Sequence, residues 1–169
     1  MNDPQLLSTD RQVATAAQSA ANAESGRCWI ATGAILAGLA VALGAFAAHG
    51  LDQVIADKYA GQTRVKSGIE MPASTKYLGD FQTAAEYQLT HALGLILIGV
   101  CLARTPCKTL TAAAWLLLCG TLVFSGSLYL LVLTGARWLG AITPLGGTAM
   151  ILGWAIFAWS FTRTPATRC

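Results

Sequence analysis

The sequence predicts an all-α protein, a four-helix transmembrane bundle with a short interfacial helix in its first loop. Three observations predict it. Of 169 residues, 54% are hydrophobic and only 11% charged, against about 25% charged in a soluble domain, and the mean hydropathy is +0.54. Four apolar stretches approach the roughly 20 residues that cross a bilayer. The segments between them carry nearly all the Lys, Arg, Asp and Glu. Once the polar ends and one long loop are set aside, four spans fill the chain and leave no room for a separate soluble domain.

The formal net charge of +3 is spread over tails and loops without a run of Lys or Arg, which excludes a nucleic-acid surface and a strong anionic-lipid anchor. The five cysteines, Cys28, Cys101, Cys107, Cys119 and Cys169, form no C-x-x-C pair. Their odd number and their places in or beside apolar runs predict small buried thiols rather than a disulfide frame or a zinc site.

Residues 1–27 are rich in Ala, Ser, Gln and Asn with almost no large apolar side chains, which predicts a mobile polar tail with a transient helix at most around 13–21. Residues 28–48 are uncharged and form the first span. Small residues recur every fourth position, as Ala34, Gly38, Ala42 and as Ala40, Gly44, Ala48, the spacing at which membrane helices approach closely. Ala45-Phe46-Ala47 imitates a cleavage site, but the apolar run is too long and too far from the start for a secretory signal, so retention in the membrane is expected.

His49-Gly50 closes that helix. Leu51, Val54, Ile55 and Tyr59 then fall at helical spacing among charged residues, which predicts a short helix at the membrane surface. Residues 61–75, polar and containing Gly and Pro72, read as an exposed loop.

The purely apolar part of the second span, 89–103, is too short to cross about 30 Å of hydrocarbon at 1.5 Å per residue. Its helix must begin earlier, and Asp80 is the expected N-cap of a span over 81–103. That placement draws Glu86, Gln88 and His91 into the membrane. Pro106 closes the next turn to helix, and the third span covers 110–133. Gly135 suits a helix C-terminus and Trp138 the interface. Thr143-Pro144 matches an N-cap followed by a first helical position, which sets the fourth span at 144–161 and a short C-terminal tail at 162–169.

The short turns carry a slight excess of Lys and Arg on the side of the termini, which predicts a plasma-membrane protein with both termini cytoplasmic.

Alternating spans place His49, Glu86, Tyr87, Gln88, His91, Ser125, Ser127, Tyr129 and Thr143 on one side of the bundle, as a candidate polar cluster in one leaflet. Polar groups inside a bilayer normally face the bundle interior and find partners. Three uses are open. The cluster fixes helix packing, or binds a lipid, small ligand or partner protein; His49 and His91 hold a haem or metal; or Glu86 and His91 form a proton-linked or solute site. No ligand spacing supports a metal and no G-x-S-x-G or triad context supports nucleophilic catalysis, so no cofactor and no enzymatic activity are expected. The bilayer is the expected partner, and the small-residue stripes are compatible with a homo-oligomer.

Four ordered motifs also carry a resemblance: residues 44–51 (GAFAAHGL), residues 81–93 (FQTAAEYQLTHAL), residues 124–129 (FSGSLY) and residues 138–147 (WLGAITPLGG) with Gly153-Trp154. Together they are similar to the YgdD/YwdK family of small bacterial membrane proteins, a domain of unknown function with an animal transmembrane relative. The resemblance covers about residues 28–161. It implies a four-span inner-membrane protein and no particular activity, so it supplies no catalytic residues. Ala47 stands where the family commonly has Gly, and the tail before residue 28 and the loop between Leu51 and Phe81 look longer than usual for the family.

Overall fold

The computed structural model describes residues 4–162. Its elements are α1 (Pro4–His49), α2 (Leu51–Lys58), β1 (Thr63–Lys66), β2 (Ile69–Pro72), α3 (Ala73–Arg104), α4 (Lys108–Thr134) and α5 (Leu139–Thr162). Four helices are long and apolar enough to cross a membrane: Ala23–His49 within α1, and the whole of α3, α4 and α5. The all-α four-helix membrane bundle read from the sequence is the observed architecture.

Every span is longer than its apolar run. α1 begins at Pro4, so a helix stands where the composition predicts a mobile tail. Ala and Gln are strong helix formers, Pro is favoured at the first helical position, and no further Pro or Gly interrupts the chain before Gly26. The predicted C-terminal tail lies, from residue 163 on, outside the described residues.

Asp80 does not cap α3. The helix starts at Ala73, and Asp80 pairs inside it with Lys76 one turn earlier, at 2.5 Å. The loop expected over 61–75 contains an antiparallel hairpin with Lys66 opposite Ile69. Ser67 and Gly68 both have positive φ, 53° and 80°, as a two-residue type I′ turn requires. α5 starts at Leu139, five residues before Pro144, which therefore sits inside the helix rather than at its first position. Gly135 ends α4 in the left-handed region at φ 79°, as its position predicts.

The helices pack in the order α1, α3, α4, α5, with α3 central to the first three. Contact on α1 uses a seven-residue repeat of small residues, Gly26, Gly33, Ala40 and Ala47, all buried. A Cβ on Gly33 would lie 2.6 Å from the Ala92 carbonyl oxygen. Of the two stripes that the four-residue spacing singled out, Ala40 lies in this contact, but Gly38 and Gly44 do not, since a Cβ on either glycine would meet nothing. The α4–α5 seam is equally close: a Cβ on Gly146 would lie 2.5 Å from the Phe124 nitrogen.

α2 folds back under the bundle. Leu51, Ile55 and Tyr59 are buried in a cluster with Tyr77, Phe81 and Val132. The Tyr59 hydroxyl donates to the Val132 carbonyl at 2.8 Å and the Lys58 ammonium donates to the Leu133 carbonyl. Both donors cap the last turn of α4, whose C-terminal carbonyls have no partners within the helix.

Cys28, Cys101 and Cys119 are free thiols, the first and last of them exposed. Cys107 is disulfide-bonded, which spacing along the chain did not indicate.

Candidate functional site

The long start of α3 decides the depth of the polar residues. Leu36 stands at the middle of Ala23–His49, Thr121 at the middle of Lys108–Thr134, and Gln88 beside the middle of Ala73–Arg104. These three are also neighbours in space. The Gln88 Nε2 donates to the Leu36 carbonyl at 2.9 Å, and Gln88 lines one cavity with Leu36 and Thr121. Thr121 Oγ1 in turn lies 3.7 Å from Sδ of Met150, near the middle of α5. One layer of the bundle, Leu36, Gln88, Thr121 and Met150, therefore lies at or beside the middle of all four candidate spans.

The expected polar cluster divides around this layer. Gln88 accepts from the Tyr129 hydroxyl at 3.0 Å, so its carboxamide ties α1 and α4 to α3. Ser125, 2% exposed, donates across to the Ala84 carbonyl at 2.8 Å. Ser127 and Thr143 form a second site between α4 and α5, hydroxyl to hydroxyl at 2.8 Å. Ser127 also donates to its own helix at the Phe124 carbonyl.

His91 belongs to neither pair. Its Nδ1 is 2.7 Å from the Tyr87 carbonyl, and because a carbonyl can only accept, this nitrogen carries the proton. The ring stacks on Tyr87 with centroids 5.8 Å apart and leans on Trp154 at 6.2 Å. Tyr87 continues the stack onto Phe124 at 4.7 Å.

Two candidates lie apart. His49 is exposed at the end of α1. Gly33 backs onto Ala92, so the level of His91 on α1 is near Gly33, sixteen residues or about 24 Å of helix from His49. The two histidines cannot share a haem or metal, and among the described residues no group of three or more His, Cys, Asp or Glu side chains could hold an ion. Glu86 is exposed, on the far side of α3 from Gln88, since two residues turn an α-helix through about 200°. It meets neither His91 nor the hydroxyls, so the proton-linked pair of Glu86 and His91 is not formed. Along the bundle, Gln88 and His91 lie near the middle of α3, while Ser125, Ser127, Tyr129 and Thr143 lie toward the His49 end.

Sequence reasoning missed the groove beside Gln88. α1 and α4 touch at Trp29 and Trp115, ring centroids 5.1 Å apart and edge to face, and part beyond them. The opening is a cavity of about 390 Å³ lined by Leu36, Leu39, Leu43, Gln88, Ser125 and Tyr129 among others. Among the described residues, no charged side chain lines it. Only the joint placement of three helices creates it, and no signal along one helix reports it.

The chain matches the family described as "Protein of unknown function (DUF423)" over residues 43–147. It belongs to that family. The match spans the end of α1, the interfacial segment, α3, α4 and the start of α5, and so includes Gln88, Ser125, Tyr129 and Thr143. A UPF0382 membrane protein of Staphylococcus epidermidis is 40% identical over 130 residues, covering 77% of this chain and 91% of that protein. The UPF0382 membrane protein YwdK of Bacillus subtilis is 41% identical over 129 residues, covering 76% of this chain and 90% of its own length. No solved structure matches the chain. DUF423 membership and the four apolar helices make this a multi-pass membrane protein of a family whose function is unknown, as the motifs implied.

Proposed function

We propose that this DUF423 protein is a non-catalytic binding protein of the plasma membrane, and that its ligand is a small neutral lipophile held in the groove between α1 and α4. The supporting observation is the groove itself: uncharged, at mid-depth, and floored by a carboxamide. Gln88 has two donor and two acceptor positions, and one of each is used by Leu36 and Tyr129. One N–H and one lone pair are left for an occupant that carries a single polar group on an apolar body. The volume falls within the range of small-molecule sites.

The non-catalytic reading rests on how the reactive groups are spent. Ser125 bonds a backbone carbonyl, Ser127 bonds Thr143, and the proton-bearing nitrogen of His91 is fixed on Tyr87. None of these serines faces a general base. The hydrogen bonds across helices also fix the packing of α1, α3 and α4, each worth about 0.6 kcal/mol in membranes.

For orientation we infer cytoplasmic termini, from the Lys and Arg of the short turns. A reporter fused to the C-terminus tests this: cytoplasmic activity is expected, and external activity contradicts it.

The groove is tested with a diazirine-bearing neutral lipid analogue in phosphatidylcholine vesicles. Crosslinks are expected on Leu36, Leu39, Leu43 and Tyr129, and their loss in Ala42→Trp, which fills the groove. Labelling spread evenly over lipid-facing positions such as Ile151 and unchanged in Ala42→Trp refutes the proposal.

A further inference from the structure

Glu86 is an acid that pairs with nothing among the described residues. It lies two residues from Gln88, about 3 Å of helix rise, and so near the middle of α3; a span centred in a hydrocarbon core about 30 Å thick puts the headgroups about 15 Å away. Its side chain is exposed, and its carboxyl makes no hydrogen bond or ion pair with the described residues. The neighbouring hydroxyl of Thr90 is turned to the Glu86 backbone carbonyl instead. A glutamate side chain is far too short to reach water from this depth, and ionisable groups in hydrocarbon are costly unless partnered.

The surroundings of Glu86 form a seam. Gln82, Glu86, Thr90, Leu93, Leu97 and Val100 are all exposed, at steps of four, four, three, four and three residues, which lines them along one face of α3. Glu86 is the only charged member. The seam lies across α3 from the groove, so it does not depend on the ligand proposed above.

We propose that this face of α3 docks a single transmembrane helix of a partner protein that carries a Lys or Arg near the middle of its span. Charge complementarity selects that occupant. A second copy of this chain has no cation to offer, because its Lys and Arg among the described residues, Arg27, Lys76, Arg104, Lys108 and Arg137 included, lie at or beyond the ends of the spans. A hydrated inorganic cation cannot follow Glu86 into lipid without losing its water. An apolar partner helix would leave the carboxyl unpaired.

The test uses labelled protein in phosphatidylcholine vesicles and two labelled synthetic helices of 23 residues (about one span) made of Leu and Ala, one with a single central Lys and one with Leu in its place. Energy transfer is expected to show about tenfold tighter association with the Lys helix, falling to the level of the Leu helix in Glu86→Gln. Helicity by circular dichroism and unchanged transfer to the Leu helix show that the variant is folded. Equal transfer to the two helices, or a preference that survives in Glu86→Gln, overturns the proposal. Self-association of the wild type without peptide that is lost in Glu86→Gln assigns the face to a second copy and overturns it too.

Discussion

The Tyr129 hydroxyl donates to Gln88 Oε1 at 3.0 Å, while the Nε2 of the same carboxamide donates to the Leu36 carbonyl at 2.9 Å. One side chain on α3 thus holds α1 and α4 at the middle of the bundle. Replacing it frees a hydroxyl that has no water to turn to. Gln88→Leu is expected to destabilise the bundle by about 1–3 kcal/mol, and Tyr129→Phe by less. A double-mutant cycle in mixed detergent micelles should give a coupling of about 0.6 kcal/mol. Additive losses would show that the two side chains do not meet.

The α4–α5 seam depends on Gly146, whose added Cβ would meet backbone on both sides, 2.5 Å from the Phe124 nitrogen and 2.7 Å from the Gly120 carbonyl oxygen. Backbone cannot swing aside as a side chain can. Gly146→Ala is expected to cost about 1–3 kcal/mol. Gly38→Ala, at a lipid-facing glycine with open space around it, should cost nothing. Unfolding measured for the pair checks the difference.

Much of the bundle was legible along the chain. The four spans, the interfacial helix and the left-handed end of α4 at Gly135 follow from apolar runs, from Leu51, Ile55 and Tyr59 at helical spacing, and from a glycine where α4 stops. Helix starts were less legible. Asp80 and Thr143 are good caps in isolation, but α3 continues back to the hairpin at Pro72 and α5 back to Leu139, because tertiary contacts of Ala73, Tyr77 and Leu139 bury those first turns. The small-residue stripes misled for a related reason. Four-residue spacing is met by Gly38 and Gly44, yet contact follows the seven-residue repeat through Gly26, Gly33, Ala40 and Ala47. The groove depends on where α1 and α4 separate, which no local pattern encodes.

The interfacial anchor should respond to pH at the alkaline end. Tyr59 is 6% exposed, and its phenol is raised above its ordinary value of 10.0, first by burial and then by the nearby Tyr77, with Arg64 opposing. The folded state holds this proton more tightly than the unfolded chain. Its contribution is therefore complete below pH 10 and lost as pH rises through the higher folded value. Protease cleavage of the segment between α2 and α3 should increase above pH 10. Tyr59→Phe, expected to cost about 0.5–1.5 kcal/mol through the lost bond to Val132, should lack this part of the alkaline response.

The distance between His49 and His91 makes a further spectroscopic prediction. Protein purified in detergent and supplied with haem should develop no Soret band that disappears in both His49→Ala and His91→Ala. A band abolished by either substitution would require the two rings to approach across about 24 Å of helix, contrary to the packing of Gly33 on Ala92.

An uncharged groove between α1 and α4 at the middle of the membrane should admit lipid and exclude water. A nitroxide at Ala42 or Leu39 in vesicles, read for collision with oxygen and with a water-soluble nickel chelate, reports this. Oxygen access is expected near its maximum for the bilayer, and nickel access almost nil. Free access of nickel at either position would mean a water-filled cleft and would contradict this expectation.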